Sequence, residues 1–156
     1  MVEETVDYNL LAAQLKALAE GENRLLPVLA NATALVQETM ESVSWAGFYL
    51  VEGNELVLGP FQGKVACMRI AYGRGVCGTA WAQDATQLVH DVHAFPGHIA
   101  CDSASRSEVV VPVHRDGVVW GVLDLDSTEL ARFAPEDASG LELVVAELER
   151  LLEHLS

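Results

Sequence analysis

The side chains best suited to covalent chemistry in this sequence are its three cysteines. Cys67, Cys77 and Cys101 are spaced C-x9-C-x23-C. This spacing lacks the close C-x2-C pairs of structural zinc sites and thioredoxin-type motifs. Disulfide scaffolds are typical of small exported domains, whereas the start of this chain has neither the basic residues nor the continuous apolar run of a secretory signal. We therefore predict reactive thiols in a cytoplasmic protein.

The charge around two of these thiols differs from that of the whole chain. The formal net charge is −14, yet no Asp or Glu occurs between Leu56 and Gln83, where Lys64, Arg69 and Arg74 lie. Nearby cations lower the pKa of a thiol, although three basic side chains are at least as typical of a solvated rim. The acidic total argues against nucleic acid and anionic membranes as partners, and no apolar stretch is long enough to span a bilayer. Small molecules and other proteins remain.

A metal site is the main alternative use of Cys101. The pattern His93-x4-His98-x2-Cys101 brings three metal-binding side chains close together in the sequence. Histidines beside a Pro-Gly turn, however, more often hydrogen-bond within their own loop. We therefore place a zinc site well behind thiol chemistry, without excluding a metal. For any single cysteine the ordinary environment is a buried core position, and Cys77, in a predicted helix at Val76–Ala82, fits that environment best.

Two carboxylates share a strand face with apolar side chains. Because side chains alternate along a strand, Trp120, Val122, Asp124 and Asp126 are expected to point to one side. A solvent-facing surface would explain the acids but would not favour a tryptophan and a valine beside them. The pattern favours the floor of a pocket.

Whether Glu108 joins these acids depends on the turn between its strand and theirs. A two-residue turn at Asp116-Gly117 would pair Glu108 with Leu125, whereas a three-residue loop beginning at Arg115 would pair it with Asp124. We expect the three-residue loop. Three carboxylates in a partly dry pocket cannot all stay charged, so at least one should hold a proton or meet a cation. Such a pocket suits an ammonium group and supplies a general acid.

The periodicity of apolar residues predicts the elements that position these groups. We expect helices over Asp7–Glu20 and Leu25–Met40 with Gly21 between them, hairpins pairing Trp45–Val51 with Glu55–Phe61 and Glu108–His114 with Val118–Asp126, a largely irregular segment Gly63–Ser107, and a last helix beginning at Pro135. Together they predict an α+β fold, a central antiparallel sheet with the N- and C-terminal helices on one face. The loop-rich middle should form a pocket on the other face.

These residues lie in segments that resemble the free methionine-(R)-sulfoxide reductases, a family of GAF-domain enzymes. The matching segments are WAGFY at 45–49, LGPFQG at 58–63, GRGVCGT at 73–79, DVHAFPGHIACD at 91–102 and SEVVVP at 107–112. The resemblance covers most of the chain and is more specific than a general GAF pattern. The sequence departs from it at Arg106, where a small or neutral polar residue would be expected.

The resemblance implies one GAF-like catalytic domain over residues 1–156 that reduces free L-methionine-(R)-sulfoxide. It implies that Cys101 attacks the sulfoxide and that Cys67 resolves the oxidised product by forming a disulfide. Cys77 corresponds to the third family cysteine, which is either an alternative resolving thiol or a packing residue. An external thioredoxin-like dithiol would restore the thiols, so no bound cofactor or metal is expected. A homodimer is implied as well.

The resemblance also assigns the binding residues. It implies that Glu108, Asp124 and Asp126 bind the substrate amine and help to protonate its oxygen, while Trp45 and Tyr49 shape the side-chain pocket. Backbone N–H groups at 73–77 are candidates for binding the substrate carboxylate.

Two other classes of function remain open at this stage. A non-catalytic GAF sensor would bind a small metabolite or respond to oxidants through the same thiols. A structural dimerisation module would explain the apolar helices but would leave the cysteines without a role.

Overall fold

The computed structural model describes residues 5–99, 101 and 103–156. Within these ranges four α-helices and six strands follow in the order α1 (Tyr8–Ala19), α2 (Leu25–Thr39), β1 (Trp45–Glu52), β2 (Glu55–Gln62), β3 (Arg69–Ala71), α3 (Gly75–Gln83), β4 (Gln87–Val89), β5 (Ser107–Arg115), β6 (Val118–Ser127) and α4 (Pro135–Leu152), with a short 3₁₀ helix at Val92–Ala94. None of the described helices combines the length and the apolar character needed to cross a membrane.

The strands form one antiparallel sheet in the order β3-β2-β1-β6-β5-β4. Helices α1, α2 and α4 cover one face, where the larger hydrophobic core lies, while α3 and the loops cover the other face over a second cluster. The predicted α+β fold, with terminal helices on one face and a loop-rich pocket on the other, is confirmed.

The strands β3 and β4 lie in the segment that we predicted to be irregular apart from one helix. Each has only three residues and each forms an edge of the sheet. Three residues are too few to show an alternating pattern, so pairing with a longer neighbour makes them strands. The prediction of irregular structure is wrong at these two places.

The hairpin of β5 and β6 follows neither of the two registers that the sequence suggested. Arg115 pairs with Val118 across a two-residue turn, so the predicted three-residue loop is wrong. The register then shifts between Val113 and His114, which pair with Gly121 and Val119. One extra residue, Trp120, is accommodated on β6, as in a β-bulge.

This shift decides which residues share the pocket face. It pairs Glu108 with Asp126, where the expected partner was Asp124 or Leu125. Trp120 packs against the core beneath the helices, so its predicted place beside the carboxylates is wrong. Val122 lies in the cluster on the pocket side.

A histidine connects α3 to the helical layer. His114 on β5 approaches Asp84 at the end of α3 through Nε2 (2.6 Å) and Glu149 on α4 through Nδ1 (2.8 Å). Partial burial lowers the pKa of His114, but the hydrogen bonds to Glu149 and Asp84 outweigh it, and the net shift is upward. This bridge fixes the end of α3 away from the pocket.

The first and last helices are joined at a position where no side chain fits. The Tyr8 hydroxyl donates to Asp137 Oδ1 (2.5 Å), and a Cβ placed on Gly140 would overlap the Tyr8 ring. Asp137 also accepts from the backbone N–H of Ala134 (2.8 Å) at the start of α4. The tyrosine ring is therefore held against the glycine by a fixed hydrogen bond.

Gly140→Ala should destabilise the protein even though alanine forms helices better than glycine by about 1 kcal/mol. The overlap with Tyr8 should exceed that gain and leave a net loss of about 1–3 kcal/mol in the free energy of unfolding. Urea unfolding of both proteins measures the difference.

The matched control is the same substitution in a Tyr8→Ala background, where the ring is absent. There Gly140→Ala should stabilise the protein by up to about 1 kcal/mol. Equal destabilisation in both backgrounds would show that the contact is not the cause.

Candidate active site

A cavity lies on the loop side of the sheet, between the strands, α3 and the loop that ends at Cys101. Residues predicted as site residues line it: Trp45, Tyr49, Cys77, Cys101, Glu108, Asp124 and Asp126. Ile70, Val76, His98, Ile99 and Ser105 also line it. The structure thus brings seven of the eight predicted site residues to one cavity, and the eighth, Cys67, is bonded to one of them.

The pairing of three central strands gathers the carboxylates. Asp126 lies opposite Trp45 on β1 and opposite Glu108 on β5, while Asp124 lies opposite Gly47. Because alternate residues of a strand share a face, Asp124 and Asp126 point to the same side of the sheet. The local sequence could not fix this arrangement, which depends on the bulge in β6.

Burial makes this cluster unfavourable for negative charge. Glu108 is 7% exposed and Asp124 is 5% exposed. Burial, followed by the nearby charges of Asp124 and Asp126, raises the pKa of Glu108 well above its usual range, and burial also raises the pKa of Asp124. Asp124 Oδ1 is buried without a hydrogen-bond partner among the described residues. The cluster is therefore arranged to retain a proton or to receive a hydrogen-bond donor.

Two of the three aromatic residues of β1, Trp45 and Tyr49, connect the cavity to the loop that carries Cys67. The Trp45 indole N–H donates to the carbonyl of Lys64 (3.1 Å), and the Tyr49 hydroxyl donates to the carbonyl of Cys67 (2.9 Å). Their rings stack with centroids 5.8 Å apart. A side chain on Gly47 would meet the Trp45 ring, so glycine there leaves space for the indole.

Cys67 and Cys101 form a disulfide, with Cα atoms 5.4 Å apart. This separation lies in the ordinary range for a disulfide. The pairing that the family resemblance implied is therefore present. It joins the loop after β2 to the loop before β5, which are 34 residues apart in sequence.

Cys77 has a different environment from the other two cysteines. It is a free, buried thiol in the first turn of α3, and its Sγ lies 3.9 Å from Glu108 Oε2. Burial, followed by the charges of Asp124 and Glu108, raises the pKa of the Cys77 thiol. A raised pKa means a smaller thiolate fraction, so this thiol is a weaker nucleophile than an ordinary cysteine.

The His93-x4-His98-x2-Cys101 pattern does not form a metal-binding group among the described residues. The described residues contain one group whose ligand atoms all lie within 4.8 Å of one another, and it consists of Cys77, Glu108 and Asp124. Such a group can coordinate a divalent cation only after losing its protons, which the raised pKa values oppose. His93 and His98 pack edge to face at 6.1 Å between ring centroids and are not part of that group.

Sequence reasoning missed several apolar residues of the cavity. Ile70 belongs to β3, a strand that we did not predict, and Ile99 precedes the disulfide within the segment assigned as irregular. Their only signal was apolar character inside a loop-rich region, which is too weak to identify a pocket wall. Gly75 and Val76 of α3 line the cavity as well, and they lie within the segment 73–77 whose backbone N–H groups were candidates for binding the substrate carboxylate.

The fold and cavity define a class of protein, and comparison with known proteins agrees. The sequence profile of the GAF domain matches residues 24–152. The chain belongs to the GAF-domain family.

Relatives place it more narrowly. The free methionine-R-sulfoxide reductase of Escherichia coli (strain K12) is 53% identical over 145 residues, covering 93% of this chain and 88% of that protein. Reduced fRMsr of Staphylococcus aureus is 46% identical with a TM-score of 0.92, over 97% of this chain and 99% of that chain. The free methionine-R-sulfoxide reductase from Neisseria meningitidis, in complex with its substrate, is 44% identical with a TM-score of 0.91, over 99% and 95%. Within the GAF-domain family, this chain belongs with the free methionine-R-sulfoxide reductases.

Replacing Glu108 should make the protein more stable above neutral pH. Because its folded pKa is raised, Glu108 favours folding below its unfolded pKa of about 4.3 and loses this contribution as the pH rises toward the folded value. At pH 8, Glu108→Gln should therefore increase the free energy of unfolding by about 1 kcal/mol or more. The gain should shrink as the pH falls toward 4.5, as measured by urea unfolding with the disulfide intact.

Glu52→Gln supplies a control with the same change in net charge at the exposed end of β1. It should alter stability by less than about 0.5 kcal/mol at either pH. Destabilisation by Glu108→Gln at pH 8 would contradict the conclusion that burial disfavours the charged form of Glu108.

Proposed function

We propose that this chain, as one catalytic domain over residues 1–156, reduces free L-methionine-(R)-sulfoxide to methionine with Cys101 as the nucleophile. The observation that carries the proposal is the Cys67–Cys101 disulfide, whose Cys101 lines the same cavity as three carboxylates. Thiol chemistry and proton donation are the two requirements for removing oxygen from a sulfoxide. Both are supplied within one cavity.

The carboxylates would recognise the substrate ammonium. Glu108 and Asp124 are buried, and a bound ammonium would compensate the negative charge that burial disfavours. A methionine inside a peptide has an uncharged amide at this position, so it would leave the cluster without a cation. Charge recognition therefore supports a free amino acid as the substrate.

The aromatic rings would hold the rest of the substrate. Trp45 and Tyr49 provide a stacked apolar wall next to the carboxylates, and Ile70 and Ile99 contribute to the same cavity. This wall suits a thioether or sulfoxide side chain. The backbone N–H groups at the start of α3 remain our proposal for binding the substrate carboxylate.

In the first step, a protonated carboxyl of the cluster donates to the sulfoxide oxygen, and the Cys101 thiolate takes that oxygen as methionine leaves. The oxygen ends on Cys101 as a sulfenic acid, so substrate sulfur is reduced by two electrons and Cys101 is oxidised by two. The Cys67 thiol then attacks the Cys101 sulfur, forms the disulfide and releases water. A dithiol such as thioredoxin reduces the disulfide by exchange.

Cys67 is proposed as the resolving thiol because it is bonded to Cys101, whereas Cys77 is free. The high pKa and burial of Cys77 support a role in packing and in hydrogen bonding to Glu108. If Cys77 were the resolving thiol, one turnover would leave a Cys77–Cys101 bridge.

We also propose that the protein works in the reducing cytoplasm and as a homodimer. Reduction of the disulfide in each cycle requires a compartment with a thiol reductant. Exposed leucines on the helical side, Leu10 and Leu18 on α1 and Leu26 on α2, support a dimer formed through that layer. Sedimentation velocity would measure the assembly state.

Purified protein should produce methionine from free L-methionine-(R)-sulfoxide with dithiothreitol as the reductant. Cys101→Ser should lower this activity by more than about 10³-fold, because the nucleophile is lost. Cys67→Ser should still release one equivalent of methionine per chain in the absence of reductant. Methionine is quantified by chromatography.

Mass mapping after one turnover without reductant identifies the resolving thiol. Wild type should contain a Cys67–Cys101 bridge and a free Cys77. A Cys77–Cys101 bridge would transfer the resolving role, and activity of Cys101→Ser equal to that of wild type would refute the mechanism.

N-acetyl-L-methionine-(R)-sulfoxide tests recognition of the ammonium. Its kcat/KM should fall by at least about 10²-fold, because the buried carboxylates lose their cationic partner. The methyl ester, which retains the ammonium, is the matched substrate control and should lose less. In Glu108→Gln the discrimination between free and acetylated substrate should narrow, and undiminished discrimination there would exclude Glu108 as the amine-binding group.

A further inference from the structure

The loop that carries Cys67 also carries two strongly exposed apolar side chains. Val65 is 87% exposed and Met68 is 71% exposed, the two highest values among the exposed large apolar residues that the structure describes. They stand two positions before and one position after Cys67. We call residues 63–68 the Cys67 loop. Isolated exposed apolar residues are common, but a pair of them that flanks a redox cysteine is a candidate contact surface for another protein.

The same loop has favourable charge for an incoming thiolate. Lys64 is exposed within it, and no Asp or Glu occurs between Leu56 and Gln83, although the whole chain carries a formal net charge of −14. A nucleophilic thiolate is an anion, and its approach to most of this acidic protein would be opposed. A lysine beside the disulfide favours the approach locally.

The disulfide can be reached from outside without entering the substrate cavity. An open surface depression is lined by Gly63, Lys64, Val65, Cys101 and Ser103. Cys101 also lines the substrate cavity, so this residue lies between the two spaces. Cys101 is therefore the half of the disulfide that a reductant in the depression would meet.

We propose that the Cys67 loop and this depression form the docking surface for a protein dithiol reductant, an inference that rests on the proposed function. The occupant is a protein that presents a reactive thiol within an apolar surface, because Val65 and Met68 offer apolar contact around the disulfide. A small polar thiol such as glutathione would gain little from these two side chains. The lysine completes the surface by complementing the thiolate.

The exchange takes place in two balanced steps. The partner thiolate attacks the sulfur of Cys101, the disulfide residue that lines the depression, forming a mixed disulfide and breaking the Cys67–Cys101 bond. Cys67 leaves as a thiolate and takes up a proton. The second partner thiol then attacks the partner sulfur of the mixed disulfide and releases the Cys101 thiolate, so the partner gains a disulfide and this protein gains two electrons.

Kinetics with two reductants test the surface. Met68→Glu and Lys64→Glu should each raise the KM for a bacterial thioredoxin, kept reduced by NADPH and thioredoxin reductase, by about fivefold or more. Met68→Glu should leave turnover with dithiothreitol within about twofold of wild type, because this side chain does not line the substrate cavity and a small dithiol does not need its apolar contact. Lys64→Glu should slow reduction by dithiothreitol as well, because that reductant also attacks as a thiolate. Val65 is left unchanged because it lines that cavity as well.

Matched controls replace an exposed apolar residue and an exposed lysine outside the Cys67 loop by glutamate. Val118, the first residue of β6, is 65% exposed and Lys16 is exposed on α1, so Val118→Glu and Lys16→Glu should leave the KM for thioredoxin unchanged. A KM for thioredoxin that does not change in Met68→Glu and Lys64→Glu would overturn the docking surface, as would glutathione supporting faster turnover than thioredoxin. If wild type is inactive with dithiothreitol, the proposed function itself fails.

A thioredoxin variant that lacks its second cysteine tests the exchange. Mixed with the oxidised protein, it should be trapped on Cys101, as found by mass mapping of the mixed disulfide. Trapping on Cys67 would overturn the assigned point of attack.

Discussion

Burial of carboxylates beside a thiol is the constraint on which the other parts of this site depend. Glu108 and Asp124 are buried, and burial raises the pKa of both carboxyl groups. Burial and the charges of these two residues also raise the pKa of the Cys77 thiol. Burying such a cluster costs free energy, so the protein folds only if the rest of the structure contributes more stabilisation than this cost. The large core between the sheet and the helices α1, α2 and α4 supplies that stability from the opposite face. The strain is therefore on the functional face, where a cationic ligand or a proton can relieve it.

The same constraint explains why the sheet register matters so much. A shift of one residue between β5 and β6 would turn Glu108 away from the face of Asp124 and Asp126. The bulge at Trp120 prevents this by adding one residue to β6, and it also sends the indole into the helical core. One local irregularity thus contributes to the packing of one face and to the composition of the other.

Trp45 and Tyr49 connect the cavity to the Cys67 loop. The Trp45 indole N–H donates to the carbonyl of Lys64 and the Tyr49 hydroxyl donates to the carbonyl of Cys67, while both residues line the cavity. Aromatic side chains with polar atoms can act at an apolar and a polar boundary together. The same two residues therefore line the cavity and hold the backbone of the loop that carries Cys67. This arrangement supports a cycle in which the cavity binds substrate and the outer surface meets the reductant.

Much of this architecture followed from the sequence alone, because helices and long strands are governed by local periodicity. The spacing of leucines placed the terminal helices, alternation in β6 separated Asp124 and Asp126 from Leu123 and Leu125, and family motifs named the cysteines. The tertiary structure decided the bulge, the edge strands β3 and β4, and the position of Trp120. These features depend on pairing between segments that are distant in the chain, and the sequence of one short segment does not show which other segment it pairs with. The proximity of Cys67 to Cys101 is of the same kind, since the two loops are 34 residues apart in sequence and the tertiary structure brings them together.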